Sequence, residues 1–506
     1  MKYFPLSLLL LSLVGSAAAE LRLPAVIGSN MVIQRESAVP IWGWADAEQE
    51  VAVRVAGQNQ TATVGADGKW KVSLDPLAAG GPHRMEISSG GKNLVLENVL
   101  VGEVWLCSGQ SNMEWGVGGS ANAGEEIAGA KFPKIRLFHV PKKPASLPQD
   151  NVNAQWKECS PETVSGFSAV GYFFGRHLHK ELEGVPIGLI GSSWGGTRIE
   201  PWTTLEGFAA VSEVARIGDE VNERQEIFRD PAKWVPEAER WLEAVKDNAA
   251  QGRRPPNAPR FPGDFNQGTP TGLYNGMVAP LVPYALKGAI WYQGESNMGE
   301  GMAYYDKMRA LISGWRTVFE KPDLAFHFVQ LAPYKYGNGE KTLPYIWEAQ
   351  TAALKVPGTG MAVTTDIGNV QDIHPRNKQD VGKRLALWAL AKDYGKGDLV
   401  CSGPLYKSME VQGDKIRSHV AHTGGGLVAR DEKPLSDFSI AGGDGKFVPA
   451  KAEIDGETVV VSAEGLSDPK NVRFGWHHMI NPNLSNKAGL PAGPFKTDGW
   501  QGGTGE

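Results

Sequence analysis

The chain has 506 residues, 42% of them hydrophobic and 21% charged, a globular composition with room for about three domains. A formal net charge of −5 with no basic stripe argues against nucleic acid as a partner. The 62 glycines and 33 prolines occur without a short repeat, which points to many turns and β structure and excludes a low-complexity chain.

The first segment, "MKYFPLSLLLLSLVGSAAAE", combines one Lys, an apolar run through Leu13 and small residues at Ala17 and Ala19. It reads as an export signal over residues 1–19, cut after Ala19, which places the mature protein in the periplasm or outside the cell. The apolar run is shorter than the roughly 20 residues a membrane span needs, and no later stretch qualifies. Three cysteines, Cys107, Cys159 and Cys401, are too few for a disulfide framework, and Cys107 is expected as a buried thiol.

Residues 20–100 contain short β-rich runs such as "EVAVRVAG" and "TATVGADGKWKVSL". Val51, Val53 and Val55 alternate with Ala52 and Arg54, and "ADGKW" and "SGGK" supply hairpin turns. A small antiparallel β-sandwich is expected here.

From residue 101 to about 400, apolar strand-like runs alternate with amphipathic stretches. "EVWLCSG", "KIRLFHV", "PIGLIGSSWGG", "LKGAIWYQGES", "LAFHFVQLAP" and "GMAVTTDIG" are the strands. "AVGYFFGRHLHKEL", "YYDKMRALISGWRTVF", "WEAQTAALKV" and "NKQDVGKRLALWALAKDY" are the helices. In the last helix Val381, Leu385, Trp388 and Ala389 form a buried stripe, and Gly395 is a stop signal. The fold class is therefore α/β, with a parallel sheet in three layers and active groups gathered beyond the carboxyl ends of the strands. A Pro- and charge-rich excursion at about 206–267 interrupts the alternation and reads as an insertion or lid. Residues 401–506 return to β texture, a second antiparallel domain followed by a flexible tail. His477 and His478 in that domain have no metal-ligand spacing and suit a solvent or interface role.

Four clusters sit at predicted strand ends. In Gly109-Gln110-Ser111-Asn112 the glycine permits a tight turn, and the serine either caps a helix or is presented as a nucleophile. Gly195-Gly196 lets backbone approach a ligand closely, or makes a structural turn. Gln293 and Glu295 share a face if the chain stays extended. Asp372 lies two residues before His374, the acid-and-imidazole pairing a general base needs.

In this order, "GQSNMEW", "GSSWGGTRIEPW", "WYQGESN" and "DIHPRNK" closely resemble the sialate O-acetylesterase family, a branch of the SGNH (GDSL-like) hydrolases with acetylxylan esterases among its relatives. The resemblance covers most of the mature chain and implies an SGNH-type central domain between the two β domains. It implies Ser111 as nucleophile and His374 as general base. It also implies an oxyanion hole from the N–H groups of Ser111 and Gly196 with the Gln293 side chain, Gly195 being the alternative middle donor. The family's acid usually lies three residues before the histidine. Here that position is Gln371, so Asp372 and Glu295 are the two candidates, with Asp372 favoured. The implied reaction removes O-acetyl groups from sugars without metal or cofactor, on sialate or alternatively on xylan and other plant glycans. A non-catalytic carbohydrate-binding protein is disfavoured because Ser111, Gln293 and His374 are all present.

Overall fold

The computed structural model describes residues 20–259, 261–337 and 342–499. The expected export signal and the last residues of the tail, 500–506, lie outside the described residues.

Seven strands build the central layer: β1 (Lys92–Gly109), β2 (Phe132–His139), β3 (Trp156–Cys159), β4 (Ile187–Ser193), β5 (Gly288–Tyr292), β6 (Ala325–Val329) and β7 (Thr359–Ala362). Their order is β7-β6-β5-β1-β4-β2-β3. All neighbours are parallel except β2 and β3, which are antiparallel. The expected parallel sheet is present, with β3 added antiparallel at one edge. The segment "WKEC" of β3 alternates buried ends with exposed charges and carries no apolar run.

The parallel strands are almost wholly buried because helices cover both faces. On one face α2 (Ala169–Glu181) meets β1, with Phe174 4.9 Å from Trp105 and packed edge-on. Gly171 of α2 lies so close that an added Cβ would stand 2.9 Å from the Cys107 sulfur. On the other face α3 (Ala303–Val318) brings Trp315 to 6.0 Å from Trp291 of β5. The helix α4 (Lys378–Asp393) packs beside α2, and its predicted stripe of Val381, Leu385, Trp388 and Ala389 is buried.

β1 is 18 residues long and belongs to two bodies at once. Its first half pairs antiparallel with Gly80–Ser89 of the N-terminal β region, and its second half is the centre of the hydrolase sheet. The expected boundary at residue 100 therefore falls inside one continuous strand. The excursion after residue 205 is helical, and its longest helix, Pro231–Ala250, buries no residue. The C-terminal region has its own apolar core around Ile416, Ile440, Val461, Val472 and Phe474. All three cysteines are free thiols and buried. No described helix is long and apolar enough to cross a membrane.

Candidate active site

Three parallel strands end at one level. Gly109 of β1 is in register with Ser193 of β4 on one side and Tyr292 of β5 on the other. The three sequence clusters that follow these strands are consequently neighbours, and the fourth, with His374, comes from the loop after β7.

The turn after β1 depends on Gly109. Its φ is +141°, and a Cβ there would lie 2.1 Å from the Tyr292 carbonyl oxygen. The Gln110 N–H donates to that same carbonyl at 2.9 Å. Ser111 then opens the one-turn helix α1 (Ser111–Glu114), so its N–H has no intrahelical acceptor. Gln110, not Ser111, holds the cap position, and its side chain makes no cap bond. Its Oε1 instead accepts from Gln293 Nε2 at 3.1 Å and from the N–H groups of Gly294 and Ser296 at 3.3 Å each.

The turn after β4 presses on Ser111. A Cβ on Gly195 would stand 3.2 Å from Ser111 Cβ. The Gly195 N–H is engaged, donating to Glu114 Oε2 at 2.6 Å, while the other Glu114 oxygen pairs with Lys142. Gly196, at φ +73°, is exposed and its N–H has no acceptor among the described residues. Of the two expected middle donors, Gly196 is therefore the one left free.

Gln293 departs from its expected place. It is fully buried, and its amide nitrogen lies within hydrogen-bond range of Gln110 Oε1, the Thr197 carbonyl (3.2 Å) and Asn297 Oδ1 (2.8 Å). Its Oε1 accepts from the Tyr304 hydroxyl at 2.8 Å. An amide so committed does not offer a hydrogen to a substrate oxygen in this arrangement; it braces the loops after β1, β4 and β5 against one another. Asn297 continues the brace by donating to Glu200 and Glu300, which both accept from Lys307.

His374 is carried by the loop between β7 and α4. Its imidazole lies flat on the Trp115 indole, with ring centres 4.8 Å apart and planes 19° from parallel. The loop is fastened by Asn112 Nδ2, which donates to the Ile373 carbonyl at 3.0 Å, and by the Arg376 carbonyl, which accepts from the Ala121 N–H at 2.7 Å. Burial, with the Lys378 charge, pushes the imidazole below its ordinary value, Asp372 opposing. A neutral ring is what proton abstraction requires.

The two acid candidates are separated clearly. Asp372 Oδ1 accepts from the backbone N–H of His374 at 2.9 Å, a local turn that fixes the loop, and its charge is felt by the ring. Glu295 is tied to Asn112, whose Nδ2 lies 2.6 Å from Glu295 Oε1, while its Oε2 is buried without a partner. Burial pushes the Glu295 carboxyl up, against the pull of Asn112 and Lys378.

The residues sequence reasoning missed are Asn112, Trp115 in its role against His374, and Lys378, all inside quoted motifs. His478 lies buried, and its carbonyl accepts from the Tyr334 N–H at 3.0 Å, so the C-terminal region buttresses the loop after β6. Among the described residues no group of three or more His, Cys, Asp or Glu is placed to hold a metal.

Comparison with known proteins identifies the family. The profile of a carbohydrate esterase family, the sialic acid-specific acetylesterases, matches residues 101–226 and 264–391, the two pieces on either side of the exposed helix. Sialate O-acetylesterase of Rattus norvegicus is 33% identical over 450 residues, covering 80% of this chain and 80% of its own. The Homo sapiens enzyme is 32% identical over 439 residues, covering 79% and 76%. A carbohydrate acetylesterase from Xanthomonas citri superposes with a TM-score of 0.81 at 36% identity, covering 95% of this chain and all of its own. The chain thus belongs to the sialic acid-specific acetylesterase family of carbohydrate esterases.

Proposed function

We propose that this carbohydrate esterase is exported and removes O-acetyl groups from sialic acid through an acyl-enzyme on Ser111. The observation that carries the reading is the convergence at the end of β1. Ser111 and Gly196 each keep a free N–H, and a neutral imidazole is held nearby by Trp115 and Asn112.

In the reaction, His374 accepts the Ser111 hydroxyl proton as Oγ attacks the acetyl carbonyl carbon. The carbonyl oxygen gains the negative charge, and the N–H groups of Ser111 and Gly196 stabilise it where it develops. The bond to the sugar oxygen breaks and His374 returns the proton to that oxygen. Water, deprotonated by the same imidazole, then attacks the acetyl-serine carbonyl; the bond to Ser111 Oγ breaks, His374 returns the proton to that oxygen, and acetate leaves. Asp372 acts by holding the His374 loop and by its charge, which favours the imidazolium that forms. Gln293 acts as the brace described above.

The test is acetate release from O-acetylated sialic acid and from acetylated xylan by the wild-type chain and by Ser111→Ala. Sialate turnover that vanishes in the folded variant supports the reading. Preferential turnover of xylan changes the substrate assignment, and full activity of Ser111→Ala overturns the nucleophile. Export is tested separately by N-terminal sequencing of the mature protein, which should begin at Glu20.

A further inference from the structure

Lys378 sits where a lysine is costly. It is the first residue of α4, behind the Asn377 cap, so its charge lies at the positive end of the helix. It is also fully buried, which removes the ammonium from water. The side chain donates to Asn112 Oδ1 at 2.5 Å and stands 5.4 Å above the Tyr292 ring.

Asn112 is the residue after Ser111, and its amide is fully used. Oδ1 accepts from Lys378, and Nδ2 donates to Glu295 Oε1 and to the Ile373 carbonyl. A cation and a carboxylate thus grip one amide from opposite sides. That amide joins the nucleophile's turn to the loop of the base. The groups facing Lys378 are Glu295 and Tyr292 from the end of β5, and Asp372 and His374 from its own loop. Tyr336, from the loop after β6, faces Glu295 and Tyr292 in turn.

We propose that Lys378 is the positioning residue of this site: through Asn112 it locks Ser111 to the His374 loop, and it keeps a positive charge beneath the base. The inference rests on the assignment of Ser111 and His374 as nucleophile and base. Burial pushes the Lys378 ammonium down to about 7, with Glu295 and Asp372 resisting, so the charge is present at the acid pH where His374 takes up its proton. There it opposes protonation of the imidazole and extends the active range toward acid.

The experiment compares Lys378→Met, the double variant Lys378→Met/Glu295→Gln, and the controls Ser111→Ala and His374→Ala on one acetyl ester across pH. Lys378→Met should lower kcat by roughly 10- to 100-fold through misplacement of the reacting groups, with KM little changed. Its acid limb should move to higher pH. The single variant leaves Glu295 without its cation and should melt earlier. The double variant removes that mismatch and should regain melting temperature while its acid limb stays displaced, a readout that a purely structural lysine would not move. Inactive controls with an acid limb at the wild-type position in the double variant overturn the proposal alone. Full turnover by a folded control overturns the underlying assignment and the proposal with it.

Discussion

The Trp115 indole and the His374 imidazole are stacked, with ring centres 4.8 Å apart and planes 19° from parallel. Trp115 also terminates α1, so the stack couples the helix that Ser111 opens to the His374 loop. Trp115→Ala should lower kcat by roughly 10- to 100-fold, because a small misplacement of a reacting group is that expensive, with KM nearly unchanged. Trp115→Phe keeps a flat ring and should retain most of the activity. Equal losses in the two variants would show that the stack is not what matters.

A contrast between adjacent glycines tests the crowding around Ser111. An alanine at 195 would bring its Cβ to 3.2 Å from both Ser111 Cβ and Glu114 Oε2. Gly196 has open space around it, and its left-handed φ of +73° would cost an alanine about 1–2 kcal/mol of strain without a clash. Gly195→Ala should therefore suppress kcat strongly in a protein that still folds. Gly196→Ala should chiefly lower the melting temperature and keep measurable turnover, since its N–H survives. The reverse order of activities would contradict this placement of the two residues.

The strands were legible because buried parallel strands are short apolar runs closed by glycine or polar residues, as in β1, β4 and β5. Their ends therefore mark Ser111, Gly195, Gly196, Gln293 and Glu295 in the sequence itself. His374 and Asp372 were legible as a pair, but the bond Asp372 makes is to the His374 backbone, a distinction no spacing carries. The commitments of Gln293 were illegible because its partners Gln110, Thr197 and Asn297 come from three different turns. Lys378 did leave a signal. A lysine immediately behind an Asn cap opposes the helix dipole, and such a cost marks a residue for inspection. β3 escaped because four residues with two exposed charges give no period to read.

Gln293→Ala distinguishes a brace from an oxyanion donor. Loss of the side chain leaves Gln110 Oε1 and Asn297 Oδ1 with fewer donors and the Tyr304 hydroxyl with one acceptor fewer, all in buried surroundings. Stability should fall by about 1–3 kcal/mol, the usual cost of orphaned buried polar groups. Denaturant midpoint and kcat should decline together, and Gln293→Glu should fare no better, because a carboxylate offers these acceptors no hydrogen. A variant as stable as the wild type but about 10²- to 10³-fold slower would instead restore direct donation to the oxyanion.

The separation of Asp372 from Glu295 yields the sharpest pair of substitutions. Asp372→Asn keeps the size of the side chain and still lets Oδ1 accept from the His374 N–H, but it removes the charge that the imidazole feels. The imidazolium formed during attack then loses a nearby counter-charge, so kcat should drop by roughly 10- to 100-fold while the melting temperature changes little. The same loss of charge makes the ring harder to protonate, because Asp372 is the group that raises its affinity for the proton. The acid limb of activity should consequently shift to lower pH, opposite to the shift expected for Lys378→Met. Glu295→Gln acts elsewhere: it removes the carboxylate that grips Asn112 and leaves Asp372 as the remaining counter-charge to the buried Lys378. Its melting temperature should fall, with a smaller loss of kcat and an acid limb close to wild type. Measuring kcat, melting temperature and the pH profile for both variants on one acetyl ester checks the assignment. If Glu295→Gln is the inactive protein and Asp372→Asn turns over normally, the orienting acid is Glu295.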